Sequence, residues 1–431
     1  MKRERVVVLS LVLASACGGS AKLPLEAGIG PNPELPPPRK SLIPVVKVAK
    51  AEGWSTGTKP LAAPDLYVSQ LAANLVHPRW LYVLPNGDVL VAETNAPPAP
   101  KEKGIRAWFM ARYFKKAGAA VPSPNRITLL RDADGDGVAE TKTTFLSGLM
   151  SPFGMTLVGN SLYVANADAL VRFPYRPGDT HITVAPDIVV DLPAGVNHHW
   201  TKSLIANRDG SKLYVGVGSN SNAAEKGMEI EEGRAAVWEI DPQAKTKRLY
   251  ATGLRNPVGL AWSETGVLWA SVNERDELGS DLVPDYMTSV KEGAFYGWPY
   301  SYYGQIVDDR VKPQRPELVA RAIKPDYALG PHTGSLGLAS AAGNHLTRRF
   351  ANGMFVGQHG SWNRRPLAGY RVIFVPFVEG MPSGDPVEVL TGFLDDDGHA
   401  RGRPVGLAVD SRGALLVADD VGNSVWRVVV K

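Results

Sequence analysis

The sequence predicts an all-β fold, a six-bladed β-propeller with long loop insertions, and three observations carry that prediction. A strand–turn–strand phrase recurs along the chain. Glycine and proline are abundant, 44 and 34 among 431 residues, about 18% against an average near 12%, which calls for many turns. No shift of composition marks a second domain boundary after about residue 65. Charged residues make up 21% and hydrophobic residues 44%, a normal globular balance.

The chain opens with Lys2, Arg3 and Arg5, followed by an apolar run from Val6 to Ala14 broken only by Ser10. The run is too short to span a bilayer, so it reads as a secretory leader. Leu13-Ala14-Ser15-Ala16-Cys17 resembles a bacterial lipobox, and Cys17 is the only cysteine. The expectation is a leader over 1–16 and a lipid anchor on Cys17 that holds the protein to a membrane in the bacterial periplasm. Ordinary cleavage after Ala16 is the other reading. A lone cysteine excludes an internal disulfide framework, a CxxC redox pair and a cysteine zinc finger. The formal net charge is +4. Losing the leader brings it to about +2, which makes nucleic acid an unsuitable partner. Residues 17–60 carry Pro24, Pro31, Pro33, Pro36, Pro37, Pro38, Pro44 and Pro60. They are expected to be an extended tether before a single propeller domain over 61–431.

The repeated phrase appears at Leu81–Glu93, Gly154–Ala165, Ser203–Gly216, Gly259–Ala270, weakly at Gly337–Ala339 with Met354–Gly357, and at Gly406–Ala418. Each copy alternates with period 2 across a glycine-bearing or polar turn. A small sheet cannot bury both faces alone, and radial stacking into a propeller solves that. The stretch from Asp65 to Leu71 is expected to close the ring against Ser424–Val430. Two insertions interrupt the rhythm. In 94–126, Ile105, Trp108, Phe109 and Tyr113 would share a helical face, expected to cover a blade end; a membrane-surface helix is the alternative. The second insertion, 273–335, is rich in Asp, Glu, Tyr and Trp, and long loops on a rigid ring commonly carry function.

Several motifs bear chemistry. His198-His199-Trp200-Thr201-Lys202 precedes the third phrase, so a histidine there serves either as a general base at the ring axis or to satisfy loop backbone. Gly253-Leu254-Arg255-Asn256-Pro257 precedes the fourth, where Arg255 either meets an anion or carbonyl oxygen or pins the blade. Asn273 to Asp281 with Pro284-Asp285-Tyr286 supplies acidic groups and turn carbonyls suited to calcium. Asp132, Asp134 and Asp136 with Gly137 match the first half of a calcium loop. Thr143 stands where the closing glutamate belongs, and Glu140 is a partial substitute. This is a candidate surface cation site, or else a plain hairpin turn. His359 to Arg365 and Arg401 to Pro404 add cations at blade ends.

Taken together, the segments HHWTK, GLRNP, NERDELG with PDY, FYGWP and GSWNR resemble the glucose/sorbosone dehydrogenase family, six-bladed propellers that use pyrroloquinoline quinone (PQQ), and most closely its sorbosone-dehydrogenase-like branch. The resemblance spans about residues 65–430. It implies PQQ and calcium as cofactors and a small sugar as substrate. It implies His199 as the base that takes a proton from the sugar while hydride passes to the quinone. Arg255 is implied to contact the quinone carbonyl, with Asn256 binding the cofactor beside it. Arg403, and Arg364 or Arg365, are implied to meet the cofactor's carboxylates. Backbone carbonyls of Arg275 and Asp276 are implied to hold the active-site calcium. Glucose-oxidising members carry an aspartate that orients the histidine; this chain has Ser219 there. The electron acceptor is unspecified. Two other functions fit a ring of this kind: a calcium-dependent lactonase or esterase using Glu93, Asn166, Asn256 and Asn273, and a noncatalytic binding platform.

Overall fold

The computed structural model describes residues 19–39, 45–98 and 105–431. The leader and Cys17 lie outside the described residues.

Each repeated phrase forms the first two strands of a four-stranded antiparallel blade. Blade 1 comprises Pro78–Val83, Val89–Glu93, Arg126–Arg131 and Thr141–Leu146, and blade 2 comprises Met155–Val158, Ser161–Ala165, Ala169–Pro174 and Asp187–Asp191. Blade 3 is built from Lys202–Ala206, Leu213–Val217, Ala236–Asp241 and Thr246–Thr252. Blade 4 is built from Pro257–Trp262, Leu268–Val272, Pro284–Ser289 and Tyr327–Pro331, and blade 5 from Ser335–Ser340, Gly353–Gln358, Arg371–Val378 and Val387–Thr391. Blade 6 takes three strands from the C-terminus, Pro404–Val409, Leu415–Asp419 and Ser424–Val430. Its fourth, Leu66–Ala72, comes from near the N-terminus. The expected closure is therefore present: Val428 pairs with Val68 and Val430 with Leu66.

The first strands of successive blades contact one another around the whole ring, so they line the axis. There the sheets approach too closely for side chains on both sides. A Cβ on Gly154 would lie 2.2 Å from the Leu204 amide nitrogen, and one on Gly337 2.0 Å from the Val405 carbonyl oxygen. This is why the phrase so often carries a glycine at its head. Farther out, the blades separate enough to interleave side chains. Phe355, Phe374, Trp426 and Val428 pack between blades 5 and 6, and Trp80, Leu90, Phe153 and Phe173 between blades 1 and 2. Full burial of one such side chain contributes roughly 1.5–3 kcal/mol. The core is thus a set of inter-blade layers.

Over its described residues, the proline-rich segment read as a tether lies against the ring. Ile29–Gly30 adds to the outer edge of blade 4 beside Ala328 and Leu329, and Leu61–Ala62 adds to blade 5 beside Leu390 and Thr391. Between them the amides of Ala21, Arg39, Lys47 and Glu52 donate to carbonyls of Arg365, Leu278, Trp362 and Ala400. Prolines leave the segment extended, and an extended chain has unpaired backbone groups that a neighbouring sheet edge or loop can satisfy. Trp54 clamps it: its ring meets Phe393 and Trp426 edge-on, and its Nε1 donates to Asp419 at 2.7 Å. The segment is a strap across blades 4 to 6.

Candidate functional site

Within a blade, the first strand starts and the second strand ends at the same end of the ring: Pro78 faces Glu93, Ser335 faces Gln358, and Pro404 faces Asp419. Residues flanking every phrase therefore converge on one axial mouth. His199 arrives there just before blade 3 and stands half-buried. Its Nδ1 lies 2.8 Å from the Ser219 carbonyl oxygen and 3.1 Å from the Ser219 hydroxyl. A carbonyl oxygen only accepts, so Nδ1 carries the proton and Nε2 holds the basic lone pair. Enclosure by protein, the Arg255 charge and neighbouring His198 hold the His199 pKa well below its ordinary value. His199 is thus a neutral imidazole at pH 7.

Behind His199 lies a scaffold. Arg234 donates to the carbonyls of Gly218 (2.8 Å), Pro193 (3.1 Å) and Ala194 (3.3 Å) and to the Asn197 side chain. It gathers the loop that delivers the histidine pair. Burial lowers its pKa to about 10, still fully charged at pH 7.

Arg255 is buried, and its guanidinium is fully engaged with protein acceptors. Nε donates to the Asn222 carbonyl (3.1 Å). Nη1 donates to the carbonyls of Asn273 (3.3 Å) and Glu274 (2.7 Å), and Nη2 to Asn222 Oδ1 (3.0 Å) and Asp276 Oδ2 (3.3 Å). All five N–H groups are taken, so Arg255 here fastens loops; contact with a ligand would require one of these bonds to open. Asn256, its neighbour, is buried with no partner for Oδ1. Arg403 likewise leaves Nε unpartnered, with its guanidinium over the Tyr370 ring.

Other expected residues fall elsewhere. Arg364 turns away from the axis: its Nη1 donates to the Pro366 carbonyl at 3.0 Å, and its charge faces Asp281 and Glu26, the latter on the strap. Asn363 and Trp362 of the same motif line the mouth instead. Arg275 is fully buried in a network with Glu274 (2.9 Å), Asp308 (3.1 Å) and the carbonyls of Pro299 and Ser301. It ties the second insertion to blade 4. The Asp276 carbonyl already accepts from Asn222 Nδ2 (3.1 Å) and Arg310 Nη1 (3.0 Å). The calcium cradle expected from these carbonyls is therefore not formed by Asp276 as folded. Asp132, Asp134, Asp136 and Glu140 do cluster at the surface, but the Arg412 guanidinium pairs with Asp132 at 2.7 Å and backbone amides occupy all four carboxylates. Glu93, a ligand in the lactonase reading, is closed off. Arg126 grips it at 2.9 and 2.8 Å, and the Val76 amide and Thr128 hydroxyl take its remaining capacity.

Sequence reasoning missed two groups at the mouth. In the first, Asp420 accepts from Arg79 (2.5 Å) and pairs with His359 Nε2 (2.8 Å), with His77 3.7 Å away. Burial opposes the Asp420 charge, yet His359 and Arg79 hold its pKa well below the usual range. Burial likewise outweighs Asp420 at His359 and lowers that pKa to about 4. In the second, Asn363 Nδ2 bridges Asp276 Oδ1 and His332 Nδ1, while His332 Nε2 meets the Gly279 carbonyl at 2.9 Å. His359, Asn363 and Asp276 come from runs already noted, but their partners His77, Arg79, His332 and Asp420 belong to no motif. The available signal was position, because His77, Arg79, His359 and Asp420 all flank a phrase on its mouth side.

The comparisons with known proteins agree with this architecture. A family model described as TrAA12-like matches residues 124–293 and 315–431. A protein of unknown function from Borreliella burgdorferi is 26% identical over 298 residues, 66% of this chain and 77% of that protein. A pyrroloquinoline quinone-dependent pyranose dehydrogenase from Coprinopsis cinerea is 24% identical over 333 residues, 63% of this chain; the match spans only 44% of the dehydrogenase. Its PQQ domain, solved in the holo form, superposes with a TM-score of 0.67 over 89% of this chain and 100% of that domain, at 20% identity. An AA12 carbohydrate-active enzyme from Trichoderma reesei superposes with a TM-score of 0.70 over 90% of this chain and 99% of its own, at 17% identity.

Proposed function

Because the chain belongs to the TrAA12-like family, we propose that it is a PQQ-dependent sugar dehydrogenase acting on an aldose, pyranose or sorbosone-like sugar at the axial mouth. The observation that carries this reading is the convergence there of cations with buried, unpartnered polar atoms. Asn256 Oδ1, Arg79 Nε and Arg403 Nε all lack protein partners, and unpaired buried polar groups call for a polar ligand. A planar quinone bearing three carboxylates suits such a set in charge and hydrogen-bonding capacity. Arg403, Arg79 and Asn256 would hold it. When bound, it supplies the acceptor for two electrons and a proton taken from the sugar as hydride.

The chain's own part is acid–base chemistry and positioning. His199 Nε2 takes the proton of the sugar hydroxyl, with Nδ1–H fixed on the Ser219 carbonyl so that the lone pair keeps its direction. Asp420 with His359 and Arg79 forms a charged wall opposite. To hold calcium, the Asp276 carbonyl would have to give up its bonds from Asn222 and Arg310. The secretory leader and acylated Cys17 would place the enzyme in the periplasm at a membrane, with an acceptor of electrons still to be identified. The mass of the mature N-terminal peptide tests that location.

Titrating the full chain with PQQ, with and without Ca²⁺, should change the quinone absorbance saturably and support dye reduction with a sugar. His199→Ala should lower turnover by roughly 10²–10⁴-fold while keeping the spectral change. No spectral change with PQQ would refute the proposal.

A further inference from the structure

We propose that the helix Ile105–Lys116 is a docking element for an anionic lipid surface. It emerges between the second and third strands of blade 1, after Glu93, and so on the mouth side of the ring. Its C-terminal end is fixed. The Ala51 amide donates to the Lys116 carbonyl, Asn95 Nδ2 donates to the Ala119 carbonyl at 3.0 Å, and Ala117 is buried. The rest projects. Trp108 is 60% exposed, Phe109 49% and Phe114 51%. The helix was expected to lay Trp108 and Phe109 over a blade end; it leaves both open. The other exposed large aromatics among the described residues are Tyr67 and Trp362.

The charge pattern is one-signed. The helix holds Arg106, Arg112, Lys115 and Lys116 and no acidic residue. Arg112 stands three and four residues before two lysines, a like-charge spacing that weakens an isolated helix. A helix of this length is marginal alone in water, and most such helices are stabilised by burying a face. From Trp108 to Lys116 this one buries little, and its cations repel. The missing partner must be apolar and negative at once. An anionic bilayer interface is both: aromatic rings settle at the headgroup–acyl boundary while Lys and Arg meet the headgroups. Docking there would turn the axial mouth toward the membrane.

The test uses the full chain with vesicles of phosphatidylcholine alone or mixed with phosphatidylglycerol. The readouts are amide hydrogen exchange within 108–116 and the bound fraction. The mixed vesicles should protect the helix amides, added salt should remove that protection, and blade amides should not change. The variant W108S/F109S/F114S, with K115E/K116E as a second, should lose the protection and bind at least about tenfold less tightly than the unaltered chain. All share one N-terminus, so a lipid anchor or leader cancels in the difference. Equal protection by phosphatidylcholine alone, or equal binding by both variants, would overturn the proposal. Protection that depends on protein concentration without lipid would overturn it in favour of a second copy of the chain. Protection only by an acidic protein would overturn it in favour of a protein partner.

Discussion

At the residue scale, the proposed chemistry turns on how His199 is held. Its orienting partner is the Ser219 carbonyl, a neutral group, where the glucose-oxidising relatives implied by the sequence carry an aspartate. With no anion on Nδ1 and Arg255 nearby, the imidazole stays neutral well into the acid range. Ser219→Asp puts a carboxylate beside Nδ1 and should raise the His199 pKa by at least about one unit, whereas Ser219→Asn should leave it near its present value. Imidazole chemical shifts across a pH series would decide this, and an unmoved His199 in the aspartate variant would count against the geometry. His359 carries a stability consequence. Its folded pKa of about 4 lies below the ordinary value of 6.5, so the unfolded chain binds more protons between those values. The stabilisation is complete above about pH 6.5 and fades as pH falls toward 4, by an amount on the order of 3 kcal/mol. Urea midpoints should fall across that window, and His359→Gln should flatten the fall. The sequence singled out His199 and Asn256 as candidates because each sits in a recognisable run. It did not disclose His332, Asp420 or Arg79, which become neighbours only after separate strands converge.

At the element scale, the blades were legible and the strap was not. Period-2 alternation and repeated turns mark a strand wherever it packs. Proline excludes helix but does not say whether an extended chain floats or lies down. What settled it lay outside local pattern: Trp54 finds Phe393, Trp426 and Asp419. The helix Ile105–Lys116 differed the opposite way, since its aromatic positions suggested burial, yet Trp108 and Phe109 stand open and, of its aromatic residues, only Tyr113 is half-buried. Trp54→Ala removes the edge-on ring contacts and one of the hydrogen bonds on buried Asp419, whose pKa is already raised by burial. The expected cost is about 3 kcal/mol, read as a lower denaturant midpoint with faster exchange at Glu52 and Gly53. A free tether would show neither.

At the scale of the whole molecule, the ring is a set of seams, and two of them carry parts of the candidate site. Gly337 and Val405 meet at the seam of blades 5 and 6, with 2.0 Å available to a Cβ against a backbone oxygen. The same seam is spanned by the His359–Asp420 pair. Gly154 meets Leu204 at the seam of blades 2 and 3, 2.2 Å from a backbone nitrogen, close to where His199 enters. Backbone cannot swing aside as a side chain does, so alanine at either position must wedge two blades apart. Each substitution should cost about 1–3 kcal/mol through overpacking, and by this measure the two should look alike. Their effects on the site should differ. Gly337→Ala should weaken PQQ binding by displacing Arg403 and Asp420 while the His199 titration keeps its midpoint. Gly154→Ala should shift the His199 titration. Paired measurements of imidazole titration and quinone absorbance on both variants separate the two seams. If both variants disturbed both readouts equally, the blades would be moving as one body, and the assignment of site functions to particular seams would be wrong.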